Sequence, residues 1–95
     1  MPAATRIGDF NTGHDCHKPV PALQGSSTVF VNGIGVNRQD DTWEPHACGG
    51  SPHTGKTAMG SSTVAVNNKP VTRIGDPVDC GAFSAEGSNT VFIGG

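Results

Sequence analysis

The chain repeats itself. The stretch GSSTVFVNGIGVNRQDD at 25–41 aligns without a gap to GSSTVAVNNKPVTRIGD at 60–76, an offset of 35 residues. A third copy begins as GSNTVFIGG at 87–95, and its missing half stands at the other end of the chain as PAATRIGD at 2–9; nine plus eight residues restore the 17 of a full unit. Three equivalent units, one of them split between the two termini, make a structure in which each unit covers its neighbours and none is stable alone. The whole of 1–95 is therefore read as one domain, and Pro2 and Gly95 are predicted to lie near each other.

Each unit reads as a β-hairpin. Residues 28–31, 63–66 and 90–93 are β-branched and aromatic, and Asn32-Gly33 is the pair that favours the positive φ angles of a type I′ turn. In the second unit Asn67, Asn68, Lys69 and Pro70 occupy the same place, and in the split unit the termini replace the turn. No 3.6-residue apolar period survives between the glycines and prolines, so the fold class is all-β, with pseudo-threefold symmetry and no helix. The core is thin: of 95 residues, 34% are hydrophobic, with one Trp, no Tyr, 14 Gly and 7 Pro. A chain of this size and composition needs a further staple.

The repeat also suggests what that staple is. Asp9, Asp41 and Asp76 end the three units; His14 follows five residues after the first, His46 five after the second and Cys80 four after the third. If the turns mark one end of the molecule, these residues lie in the loops at the other, and His53, in the longest of those loops, adds a fourth donor. Three imidazoles and one thiolate form a closed tetrahedral set that suits Zn²⁺ and leaves no position for a reacting water, which favours a structural ion over a catalytic one. His17 competes with His14 for its place. Cys16 and Cys48 stand seven residues after their Asp; they are spare ligands, a local disulfide or, by default, small buried hydrophobes. Three cysteines do not complete a disulfide framework. Asp9, Asp41 and Asp76 are read as turn residues bonding backbone N–H groups, and Arg6, Arg38 and Arg73, three residues earlier, as outward or Asp-paired residues of little energetic weight.

Other classes find no support. Net charge is −2 with six scattered Lys and Arg, so no basic stripe meets nucleic acid. GxSxG and HExxH are absent, and Gly33-Ile34-Gly35 opens no helix, so no catalytic or small-molecule substrate site is expected. No apolar run approaches the ~20 residues that cross a bilayer, and MPAATRIGDF has neither the charged nor the apolar region of a signal peptide. The chain is expected to be made in the cytoplasm and to leave it only with a machine.

The stretches TRIGDFNTGHDC, GSSTVFVNG, PHACGGSPHTG, GSSTVAVNNKPVTRIGDPVDCG and GSNTVFIGG together resemble the PAAR-repeat family, the spike-tip proteins of type VI secretion systems and contractile phage tails. The likeness spans essentially the whole chain. It implies a conical, three-sided β-structure with one structural Zn²⁺ near its point, held by His14, His46, His53 and Cys80, and it implies no catalytic residue. It further implies that the blunt end caps a trimeric β-helical spike, a VgrG-like protein or a phage central spike, with one tip per trimer and passing contact with the target membrane. Many members of that family carry fused toxin domains, and none is expected within 1–95. The Pro-Ala-Ala-Arg signature survives most literally at Pro2-Ala3-Ala4, and Gln39-Asp40 stand where the other units have Ile-Gly.

Three pseudo-equivalent hairpins suit a threefold face. The docking residues are then expected at the turns: Asn32, Gly33, Asn67, Asn68, Lys69 and Pro70, with the termini beside them. At the opposite end an ion that ties three loops adds folding free energy of order 10 kcal/mol. Two alternatives stay open: a small zinc-dependent hydrolase, in which water replaces one ligand, and a disulfide-stabilised interaction module using Cys16 and Cys48.

Overall fold

Each Gly-Ser-x-Thr segment is shaped by its serine. Ser26 Oγ accepts hydrogen bonds from the backbone N–H of Thr28 (3.1 Å) and Val29 (2.9 Å), and Ser61 and Ser88 do the same for Thr63 and Val64 and for Thr90 and Val91. A hydroxyl that captures two backbone donors holds the chain in a turn, so the strand begins only afterwards. In the computed structural model, which describes residues 1–14, 17–46, 50 and 52–95, the named strands are accordingly short. β1 (Phe30–Val31) pairs antiparallel with β2 (Ile34–Gly35), and β3 (Ala65–Val66) with β4 (Lys69–Pro70). The described residues form no helix, and none is therefore long and apolar enough to cross a membrane.

Both hairpins have two-residue turns with positive φ at both positions: 56° and 76° at Asn32 and Gly33, 54° and 65° at Asn67 and Asn68. Asn tolerates this left-handed region better than other side chains, so Asn-Asn serves where Asn-Gly is the stronger signal. The second turn is narrower than the expected 67–70, because Lys69 and Pro70 belong to β4. In the split unit the hairpin is reduced to a single antiparallel bridge between Ala3 and Phe92, with Ile93 N–H donating to Pro2 O at 2.8 Å. The two ends of the chain thus meet.

The three units are tied in a circle. Thr5 N–H donates to Thr72 O (3.0 Å), Thr72 N–H to Asn37 O (3.0 Å) and Asn37 N–H to Thr5 O (2.9 Å), and all three residues are fully buried. The neighbouring bridges obey the same rotation: Ala4 with Arg73, Arg6 with Val36, Arg38 with Val71. One step further along each unit, Gly8, Asp40 and Gly75 take φ angles of 92°, 73° and 94° and donate to Ala22, Thr57 and Ser84. Asp40 therefore makes without glycine the turn that its two counterparts make with it. The fold is all-β and pseudo-threefold, 37 Å along its longest extent and 23 × 22 Å across.

Two small apolar clusters fill it. Ala4, Val31, Val36 and Val71 form one with Val64, Val66, Val91 and Ile93 against them; Ala22, Trp43, Val78 and Ala82 form the other with Val20 and Cys80. Buried hydroxyls and amides lie in the same interior. Trp43 Nε1 donates to Thr57 Oγ1 (3.0 Å), while Thr57 and Thr72 hydroxyls both donate to Asn37 Oδ1 (2.8 and 2.7 Å). Asn37 Nδ2 in turn donates to Gln24 O at 2.8 Å.

The Arg–Asp pairs form as one sequence reading expected, but they are not the surface pairs of little weight that it assumed. Arg38 donates from its backbone N–H, Nε and a terminal nitrogen to Asp41 at 2.9, 2.8 and 3.0 Å, and Arg6 with Asp9 and Arg73 with Asp76 repeat the pattern. Side-chain exposures are 17% and 12%, 11% and 0%, and 12% and 10%, so these are largely enclosed bidentate pairs. Hydrogen bonding to Asp9 and Asp76 raises the pKa of Arg6 and Arg73. The remaining arm of each Arg reaches the next hairpin: Arg6 to Asn32 Oδ1, Arg38 to Asn67 Oδ1, Arg73 to Gly94 O. Periodicity shows that these residues recur, but not that the neighbouring unit covers them.

Candidate metal centre

The loops that follow the three Asp residues converge at one end of the molecule. Asn11 starts the first: its Oδ1 accepts the N–H groups of Gly13 (2.9 Å) and Val20 (3.1 Å), which brings these two residues together. Gly13 has φ of 71°, and a Cβ there would lie 2.5 Å from His17 O, so glycine is required for the backbone to double back. His14 and His17 then face each other across a pair of mutual backbone hydrogen bonds, 3.2 and 2.7 Å. In the second loop His46 and His53 exchange two such bonds, 3.0 and 2.9 Å. In the third, Cys80 packs against Gly55, where a Cβ would meet its Sγ at 2.9 Å.

These supports bring four donors together. One ligand atom from each of His14, His46, His53 and Cys80 lies within 4.8 Å of all the others. His14 Nε2 stands 2.9 Å from His46 Nε2 and 3.2 Å from His53 Nε2. A neutral imidazole has one N–H and one lone pair, so three Nε2 atoms at this separation cannot all be satisfied by one another. His46 is buried, and desolvation, with the neighbouring imidazoles His53, His14 and His17 adding to it, lowers its pKa. Protonating His46 is therefore disfavoured, and imidazole lone pairs brought this close beside a thiol are what a divalent cation resolves. The donor set is soft and nitrogen-rich, of the kind that suits zinc.

His17, the residue that competed with His14, belongs to the same cluster without belonging to the four. Its ring stacks on His14 at 4.3 Å and 22° and lies 4.8 and 4.5 Å from the rings of His46 and His53. Cys16 and Cys48 lie outside the described residues. The positioning residues Asn11, Gly13 and Gly55 were not singled out by sequence. The signal of the two glycines is steric and appears only when a Cβ is placed against the folded neighbours, and that of Asn11 is a pair of hydrogen bonds to its Oδ1.

At the opposite end, Asn32, Gly33, Asn67 and Asn68 are exposed and Lys69 and Pro70 half-buried. The two Asn side chains are already engaged. Asn32 Oδ1 accepts from Arg6 and Ser88 and its Nδ2 donates to Thr90; Asn67 makes the same three bonds with Arg38, Ser26 and Thr28. Gly94 O takes their place in the split unit, accepting from Arg73 and Ser61. Phe30 and Phe92, at equivalent positions beside the turns, are 56% and 50% exposed.

The fold and site define a class: a small pseudo-threefold β-protein with hairpin turns at one end and a His/Cys cluster that could hold a metal ion at the other. A family model described as the PAAR motif matches residues 8–83, and the chain belongs to that family. It is similar to the NAD(P)(+) glycohydrolase toxin Tse6 of Pseudomonas aeruginosa strain PAO1 and to the (p)ppApp synthetase toxin Tas1 of Pseudomonas aeruginosa strain UCBPP-PA14. It is 35% identical to each over 80 residues, 77% of this chain and 18% of each relative. The chain thus spans less than a fifth of the length of these relatives.

Proposed function

We propose that this chain is a non-enzymatic tip that caps and sharpens the trimeric β-helical spike of a contractile injection machine, a type VI secretion system or a phage tail, and aids membrane puncture. The observation that carries it is the circle of hydrogen bonds through Thr5, Asn37 and Thr72, which gives one chain three nearly equivalent faces about a single axis. A trimeric spike ends in a threefold face, and one such chain meets it with three similar contacts. The family match favours the same reading. The activities named for the two toxins are not carried over, because the alignment covers 18% of each.

In this reading 1–95 acts as a single unit built from 25–41, 60–76 and the split 87–95 plus 2–9. His14, His46, His53 and Cys80 hold one Zn²⁺, whose chemistry here is to cross-link three loops at the narrow end. The docking face is the turn end, Asn32, Gly33, Asn67, Asn68, Lys69 and Pro70. Since the Asn side chains tie adjacent units together, the partner meets turn backbone and the exposed rings of Phe30 and Phe92. The chain is made in the cytoplasm and delivered outward on contraction, with the sheath supplying the work. The test is native mass spectrometry of the chain mixed with the trimeric spike of its own machine. One chain per three spike subunits is expected; three chains per trimer, or no complex, would overturn the reading.

A further inference from the structure

His17 gives the metal-binding end one more donor than a tetrahedral ion takes. Its ring centroid lies 4.3, 4.8 and 4.5 Å from those of His14, His46 and His53, and those three lie 4.9, 5.2 and 4.3 Å from one another. The four rings therefore mark the corners of a nearly regular tetrahedron. With metal–nitrogen bonds of about 2.0–2.1 Å, four imidazoles around one ion have centroids about 5 Å apart. Among the described residues His17 Nδ1, which is buried, has no hydrogen-bond partner. A buried ring nitrogen that bonds to nothing is costly.

We propose that His17 is a reserve ligand, which enters the coordination sphere in place of Cys80 when the thiolate is withdrawn and converts a three-imidazole, one-thiolate set into a four-imidazole set. The inference rests on the reading that His14, His46, His53 and Cys80 hold the resident ion. In the structure the His17 ring stacks on that of His14. With the thiolate gone, turning the His17 ring brings Nδ1 towards the three Nε2 atoms. His17 and His14 are joined by mutual backbone hydrogen bonds, so the exchange needs a side-chain rotation and no loop opening.

The experiment titrates Co²⁺ into the metal-stripped chain and three variants, His17→Ala, Cys80→Ala and the double variant, and follows the visible d–d bands and the thiolate-to-cobalt charge-transfer band. The original chain binds one Co²⁺ with the charge-transfer band; if it does not, the resident-site reading fails before His17 is tested. His17→Ala is expected to keep both bands, which also shows that it folds. Cys80→Ala is expected to lose the charge-transfer band but keep intense tetrahedral d–d bands, binding at least tenfold more tightly than the double variant, whose fourth position falls to water. Equal affinity and equal spectra for Cys80→Ala and the double variant would sink the proposal, as would loss of the charge-transfer band in His17→Ala, which would make His17 necessary to the resident site.

Discussion

Asn37→Ala tests whether the buried polar circle, as well as the two apolar clusters, holds the three units together. Asn37 is fully buried, and its side chain makes three hydrogen bonds: from Thr57 and Thr72 hydroxyls to Oδ1, at 2.8 and 2.7 Å, and from Nδ2 to Gln24 O at 2.8 Å. Each bond contributes about 1 kcal/mol, and a partner left buried and unpaired costs about 1–3 kcal/mol. The expected loss is therefore about 3–5 kcal/mol, a large share of the ~5–15 kcal/mol that stabilises a typical domain. The other two units carry Thr at this position, and Thr5 Oγ1 donates to Glu86 O, the counterpart of Gln24 O, at 3.0 Å. Asn37→Thr keeps that donor and is expected to cost about 1–2 kcal/mol, since one acceptor oxygen no longer serves both Thr57 and Thr72. Urea unfolding at fixed, saturating zinc measures both, because metal binding otherwise shifts the midpoint by mass action. An Asn37→Ala variant within about 0.5 kcal/mol of the parent, the range of an ordinary surface change, would refute the reasoning.

Asp41→Asn leaves the Arg38 guanidinium without its charge partner, and because Asp41 is fully enclosed it is expected to cost about 3 kcal/mol or more; Asp9→Asn and Asp76→Asn, with carboxylates 12% and 10% exposed, should cost less, and the order is read from urea midpoints. Gly55→Ala places a methyl 2.6 Å from Val78 Cγ1 and 2.9 Å from Cys80 Sγ, so zinc affinity should fall at least tenfold in a chelator competition while the turn end keeps its structure. Trp43→Phe removes the Nε1 bond to Thr57 and part of the second apolar cluster, for a loss of about 1–2 kcal/mol in the same unfolding assay. Stripping the ion with a strong chelator should broaden the native charge-state envelope as the chain unfolds; a compact, metal-free monomer of unchanged stability would contradict a structural ion.

The symmetry and the donors were legible in the sequence for one reason. A repeat is a translation along the chain, and a translation by 35 residues puts chemically equal residues in equal environments without any knowledge of those environments. His14, His46 and Cys80 at nearly equal distance from their Asp, and TRIGD shared by 72–76 and the N-terminal half of the split unit, carry that information directly. The turns at Asn32-Gly33 and Asn67-Asn68 were legible too, because positive φ is a property of two residues.

What only the tertiary structure decided concerns contacts between units. The sequence says that Ser26, Ser61 and Ser88 recur, but not that each delays the start of its strand by capturing two backbone N–H groups and bonds across to Asn67, Gly94 or Asn32 of the next unit. It says that Arg and Asp are three residues apart, which on an open strand is a surface pair, while the neighbouring hairpin encloses all three pairs. It favours His14 over His17 by register alone, without showing what holds the two rings apart. Their places differ because Gly13 turns the backbone and the His14 Nε2, not that of His17, lands 2.9 Å from His46 Nε2. Distances between residues far apart in the chain depend on how three units close on one axis, and no local propensity encodes that closure.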